Sequence, residues 1–245
     1  MRWLKLTVAY DGTEFAGWQV QPGRRTVQGE VQHAWREVTG EEVRVTASGR
    51  TDAGVHAEGQ VVGLATASAI PTEKLRAALN AKLPSDAVVR LVEPAPAGFH
   101  ATHDALQKTY RYQVHNSRVR PLLDRRAVWH VRGDPLDAAV MGQGGALLIG
   151  RHDFACFEST GSERATTVRT ITRLSVTRVG ERVDIQVTGD GFLYNMVRTI
   201  AGTLVEVGRG ARPAAWVGQV LASRSRTQAG PTAPAHGLVL ASVEY

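Results

Sequence analysis

The chain of 245 residues carries 29 Lys and Arg against 23 Asp and Glu, a net charge of +6 with a pI near 9.9, a balance that points to a polyanionic partner. Its 25 Arg against 4 Lys suit RNA, since a guanidinium forks onto phosphate and stacks on bases, and fit a biased genome composition equally well. Residues 1–20 hold Arg2, Lys5, Asp11 and Glu14 with no long apolar core, so neither a signal peptide nor a membrane span is expected; the single Cys156 rules out an internal disulfide and suits a reducing cytoplasm.

Leu4, Leu6, Val8 and Tyr10 alternate with Lys5, Thr7 and Ala9, which predicts a half-buried strand. Asp11-Gly12-Thr13 turns the chain. Arg24 and Arg25 follow on an exposed Pro-Gly loop, either to meet phosphate or to form a solvated basic turn. Thr26 is placed to cap a helix carrying Val27, Val31, Ala34, Trp35 and Val38, and Gly40 ends it. Val43, Val45 and Ala47 then alternate with polar residues, and Val61, Val62 and Leu64 resume an apolar run. The polar, Gly-rich stretch 47–60 between them exceeds the roughly two to five residues a hairpin needs, and a long ordered loop is usually functional. It carries Asp52 between Arg50 and His56, with Gly49 and Gly54 beside it. Asp-x-Gly is also ordinary turn chemistry, so local spacing alone leaves both readings open. A second helix over 71–83, with Leu75, Ala78 and Leu79 on one face and Pro84 beyond it, precedes a strand at 88–92.

A second round starts at Lys108. Tyr110, Tyr112 and Val114 alternate in a strand; Asp134 with Pro135 is expected to cap a helix carrying Leu136, Val140 and Leu147. Strands follow around Leu174 and Val176 and around Val183, Ile185 and Val187, then a helix over 191–207 ended by Gly208, a shorter helix over 213–221 and a closing strand over 238–245. Stretches 116–126, 158–167 and 223–236 read as exposed loops. The order β-α-β-β-α-β thus occurs twice. The expected fold is α+β: two ferredoxin-like, split β-α-β halves, residues 1–103 and 104–245, with antiparallel sheets joined into one broad sheet and a cleft between them.

Gly49-Arg50-Thr51-Asp52-Ala53-Gly54-Val55-His56 resembles the signature of the TruA family of tRNA pseudouridine synthases, and the blocks around Tyr10 to Gln19, Lys108 to Tyr112, Gly191 to Arg198 and His236 to Leu240 match the same family in order. The resemblance implies a homodimeric isomerase that converts uridine to pseudouridine at positions 38, 39 and 40 of the tRNA anticodon stem-loop. It implies Asp52 as the nucleophile, on a loop carried by the 1–103 half, with 104–245 completing the RNA-binding cleft. Tyr110 then lies against the flipped base, Arg198 pairs with Asp52, Leu238 packs in the site, and Arg50 braces the gap left by flipping. From the residues alone, Tyr110 and Tyr112 read as core aromatics on a strand, and Leu238 reads equally as a plain core residue. One segment departs from the family, with Phe99-His100-Ala101-Thr102-His103-Asp104-Ala105 in place of Phe-x-Ala-Arg-Phe-Ser-Ala.

No metal is expected, because His100 and His103 have no matching third ligand, and no cofactor, because no phosphate-binding Gly motif occurs. The alternative to an enzyme is a non-catalytic basic RNA-binding module or tRNA chaperone. A carboxylate at the centre of its cleft would only repel phosphate. A nucleoside hydrolase, which would release the base to water, is the third class.

Overall fold

The computed structural model describes residues 1–161 and 165–245, and within them lie ten strands and five α-helices, the α+β composition that the alternating periodicities predict. Among the described residues no helix is long and apolar enough to cross a membrane. The chain divides into two units, residues 1–106 with 240–245, and residues 107–239.

The first unit is built on β1 (Arg2–Tyr10), α1 (Val27–Thr39), β2 (Thr46–Ala47), β3 (His56–Thr66), α2 (Thr72–Lys82) and β4 (Ala87–Ala95). β1 is central, antiparallel to β3 and β4, with Leu6 opposite Val62 on one side and Val92 on the other. Leu4, Leu6 and Val8 are fully buried, as are Trp35 of α1 and Leu75 of α2; side chains of this size stabilise by about 1.5–3 kcal/mol each on burial. Both ends of α1 follow their local code. Thr26 accepts from the Gly29 amide, and Gly40 takes the left-handed conformation at φ 75 that a Cβ disfavours. The strand expected over 43–47 shrinks to the two residues of β2, so 42–45 connects α1 to the sheet without pairing.

The second unit runs through β5 (Gln107–Asn116), β6 (Trp129–Val131), α3 (Ala138–Ala146), β7 (Gly150–Asp153), β8 (Val168–Val179), β9 (Arg182–Gly189), α4 (Met196–Gly208) and α5 (Ala215–Ser223). β5, β9, β8 and β7 are neighbours in that order, antiparallel throughout, while the short β6 runs parallel to β5. β10 (Leu238–Glu244) begins here and from Leu240 belongs to the first unit, where the position of a Gly59 Cβ would lie 2.6 Å from the Ala241 carbonyl.

Four expectations need correction. The cap of α3 is Asp137, which accepts from the Ala139 and Val140 amides; Asn116 instead holds the preceding segment, accepting from the Leu136 amide at 2.7 Å and donating to the Asp134 carbonyl at 3.1 Å. The inward face of α3 is Met141, Gly144 and Gly145, not Val140 and Leu147, because a Cβ at Gly145 would sit 2.3 Å from Leu174 and only glycine permits that approach. α4 starts at Met196, since Asn195 has φ 61 and cannot continue a right-handed helix backwards. The loop over 223–236 is exposed only in part: Gly230 and Ala233 are buried, and a Cβ at Gly202 of α4 would come 1.8 Å from the Pro231 carbonyl. The 116–126 loop is largely exposed as expected; of the loop over 158–167, residues 162–164 lie outside the described residues.

Candidate active site

Asp52 sits on the loop 48–55 that joins β2 to β3, half-buried beside exposed Arg50. The loop is shorter than its polar sequence suggests, since His56 to Gln60 are already strand. What fixes it is a buried set of polar groups. The Ser48 hydroxyl donates to Gln60 Oε1 at 2.7 Å, and Gln60 Nε2 donates to the Gly49 carbonyl at 2.8 Å. Tyr10 Oη meets Thr51 Oγ1 at 2.7 Å. Ser48 and Gln60 are wholly inaccessible, where an unpaired polar group costs about 1–3 kcal/mol, so the pairing strongly specifies the course of 48–51. Burial pushes the Tyr10 hydroxyl up to about 12, and it keeps its proton at any physiological pH. Gly54, at φ 79, turns the chain after Asp52, and the Val55 amide donates back to the Asp52 carbonyl at 3.1 Å.

The segment that follows β1 clamps this loop from its backbone side. The Trp18 amide donates to the Thr51 carbonyl at 2.9 Å. A Cβ at Gly12 would lie 2.1 Å from the Val55 carbonyl, and one at Gly17 would lie 2.8 Å from that of Thr51, so glycine is required at both points of approach. The Gly12 amide donates to His56 Nδ1 at 3.0 Å. Asp11 Oδ1 is 3.1 Å from the same nitrogen, but one Nδ1 cannot both accept from Gly12 and donate to Asp11. We assign it as an acceptor, because Asp11 Oδ1 already receives the Thr13 amide and hydroxyl at 3.0 and 2.6 Å.

The departing segment also touches the loop's base. Thr102 Oγ1 donates to the Ala47 carbonyl at 2.6 Å, and the turn carrying it is anchored by Phe99 against Tyr245 and by the Tyr245 hydroxyl on the Ala101 carbonyl at 2.7 Å. Thr102 therefore braces the loop, a role its sequence gave no sign of. The rings of His100 and His103 lie 4.1 Å apart; among the described residues no group of three or more His, Cys, Asp or Glu is placed to hold a metal ion.

Arg24 is exposed, whereas Arg25 is engaged within the chain. Its guanidinium forks onto Asp86 at 2.7 and 2.8 Å, bonds Glu30 at 3.0 Å and lies over the Phe15 ring at 4.2 Å. The Asp86 carboxyl is accordingly held below the usual carboxylate range, chiefly by the Arg25 hydrogen bonds. Both residues are exposed, and Arg25 is the one held by ion pairs within the first unit.

In the second unit Tyr110 lies on β5 with its ring edge-on to Phe192 at 5.1 Å, and it is largely buried. Tyr112 is core, as the alternation predicts, with its hydroxyl donating to the Pro234 carbonyl at 2.8 Å. Arg198 is half-buried on α4, beside the inward Val197 and Ile200. Its Nε donates to the Ala233 carbonyl at 2.7 Å and its Nη1 to Asn195 Oδ1 at 2.6 Å. The strap 233–238, which ends at Leu238, thus holds Arg198 and Tyr112: two successive carbonyls take the two donors, and a Cβ at Gly237 would strike the Tyr112 ring at 2.6 Å. Leu238 opens β10 and is buried.

A family model described as tRNA pseudouridine synthase matches residues 6–104 and 146–245; Asp52, Arg198 and Leu238 fall within the match, and Tyr110 falls between its two parts. The chain is 49% identical over 245 residues to tRNA pseudouridine synthase A of Brevibacillus brevis, covering 100% of both chains. It is 49% identical to that of Moorella thermoacetica, covering 99% of each, and 46% identical to that of Halalkalibacterium halodurans, covering 98% of this chain and 91% of the other.

Proposed function

Because the chain belongs to the tRNA pseudouridine synthase family, and is on that ground an isomerase of uridine in tRNA, we propose that Asp52 is the nucleophile of the reaction and that the uridines converted are those at positions 38, 39 and 40 of the anticodon stem-loop. Uridine and pseudouridine are isomers. The C1'–N1 bond breaks, a C1'–C5 bond forms, C5 loses its proton and N1 gains one, so the atoms balance without an oxidant, reductant or transferred group. The work left to the protein is a carboxylate nucleophile and a pocket that retains the free base. The observation that carries the assignment is the buried set of Ser48, Gln60, Tyr10 and Thr51, which fixes the backbone immediately before Asp52 and so preorganises its carboxylate.

Tyr110 holds the uracil face, Leu238 packs beside it, and Arg198 keeps Asp52 ionised by its positive charge. Arg50, exposed two residues before Asp52, supports the RNA from which the nucleotide has flipped, and Arg24 meets phosphate. Residues 1–103 supply the catalytic loop and residues 104–245 the rest of the RNA-binding surface. The protein acts as a homodimer in the cytoplasm, and its catalysis uses no metal.

Asp52→Asn tests the reading. The variant is expected to release no tritium from C5-labelled uridine in tRNA while its tRNA affinity stays within about tenfold, because the change removes a nucleophile and no phosphate contact. Turnover near that of the wild type would remove Asp52 from the mechanism.

A further inference from the structure

We infer that Asn195 is a positioning residue for Arg198, setting the plane of the guanidinium; the inference rests on the charge-balancing role given to Arg198 above. Asn195 stands immediately before α4, where an asparagine normally has an extended backbone and caps the helix with its side-chain oxygen. Here neither holds. Its backbone is left-handed, at φ 61 and ψ 6, and its side chain makes no cap hydrogen bond. Among the described residues the other non-glycine with positive φ is Arg224, which follows α5 and so stops a helix in the ordinary way. A left-handed residue at a helix start is a different matter, and such backbone persists where the surroundings impose it, often at functional sites.

The amide released from capping is used elsewhere. Asn195 Oδ1 accepts from Arg198 Nη1 at 2.6 Å, and Asn195 Nδ2 donates to Ser159 Oγ at 3.1 Å. Arginine has no acceptor, so the oxygen must face Arg198 and the amide cannot be turned round. Ser159 is itself fixed, its amide donating to the Tyr194 carbonyl at 3.1 Å. On the other side Arg198 Nε donates to the Ala233 carbonyl, and the Ala233 amide donates to the Arg198 carbonyl at 3.2 Å. Two nitrogens of one planar group are therefore held from opposite sides, which fixes the guanidinium's plane as well as its place. Asn195 in its left-handed conformation thus meets Arg198 across the first turn of α4.

The test compares Asn195→Gly with Arg198→Ala, both measured on tRNA. Glycine takes φ 61 freely, so the backbone and fold are retained while the acceptor is lost. The expected result for Asn195→Gly is a kcat lower by about ten- to a hundredfold, as small misplacements of catalytic groups produce, with KM within about threefold and a melting temperature within about 4 °C of the wild type. A residue that served the backbone alone would show full activity as glycine, and that result overturns the inference when Arg198→Ala has lost activity. If Arg198→Ala itself stays active, the role of Arg198 fails first. Should Asn195→Gly prove unstable, Asn195→Asp and Asn195→Ala decide: aspartate keeps an acceptor and tolerates the left-handed region, so equal kcat in the two variants refutes a positioning role, and a kcat in the aspartate variant about tenfold higher supports it.

Discussion

Tyr10 Oη lies 2.7 Å from Thr51 Oγ1, one residue before Asp52, and the buried hydroxyl gives the loop a single removable anchor. Tyr10→Phe deletes it with little change of shape. The expected loss is about 1–2 kcal/mol of stability together with a fall in kcat of about tenfold, read by urea unfolding and by tritium release. The same burial makes a pH prediction. Tyr10 is pushed up to about 12 and Tyr112 further, both chiefly by desolvation, while in the unfolded chain both ionise near 10. The folded state then holds more protons above pH 10, so stability is fully present below that pH and falls as pH rises, by up to about 1.4 kcal/mol per tyrosine per pH unit. Denaturation midpoints unchanged between pH 9 and 11 would contradict it. Asp52 stands out in the sequence because its neighbours form a continuous motif. Gln60 does not: it reads as the end of the polar stretch 47–60, whereas it lies on β3, wholly buried and bonded to Ser48 and to the Gly49 carbonyl. Asn195 reads as an interior residue of the helix over 191–207, since the sequence does not carry the sign of φ.

α1 and α4 respond differently to one added methyl group. At Gly40, φ is 75 and a Cβ would meet nothing within 4 Å, so Gly40→Ala should cost only the backbone term, about 1 kcal/mol. At Gly202 the added carbon would meet the Pro231 carbonyl at 1.8 Å, and the strap 230–233 must move; about 1–3 kcal/mol is expected, at roughly 2–4 °C of melting temperature per kcal/mol. Because that strap carries Ala233, the carbonyl partner of Arg198, Gly202→Ala should also lower kcat, whereas Gly40→Ala should not. Equal effects of the two on activity would count against the strap's role. The boundaries of α1 were legible because both caps are local, Thr26 and Gly40 sitting where the helical period starts and stops. The cap of α3 was misplaced for a complementary reason: Asn116, distant in sequence, ties down 134–136 and delays the helix to Ala138. The glycine face of α3 was hidden likewise, since hydrophobic periodicity ranks Val140 and Leu147 above glycines that permit close approach to Leu174.

Across the whole chain the net charge of +6 and the exposed arginines predict that tRNA affinity falls linearly in log K against log salt, as counterion release requires; a flat plot would argue against phosphate contacts. Assembly is tested by sedimentation, where a homodimer gives about twice 26.4 kDa, and by mixing an Asp52→Asn subunit with an Arg24→Ala subunit, which should restore partial activity through mixed dimers. A fully active monomer would refute it. Phe154 is wholly buried against Phe157 and His152, and Trp129, half-buried, stacks edge-on to Tyr112. The membership of 240–245 in the first unit bears on how the chain is made. A ribosome delivers residues 1–106 first, yet Tyr245, whose ring packs on Phe99 and whose hydroxyl holds the Ala101 carbonyl, emerges after the entire second unit. The turn that braces the loop 48–55 through Thr102 therefore lacks its anchor throughout elongation. The second unit, continuous from 107 to 239, can complete its own pairing during synthesis, so a nascent chain should gain the protease resistance of residues 107–239 before that of the segment it was given first.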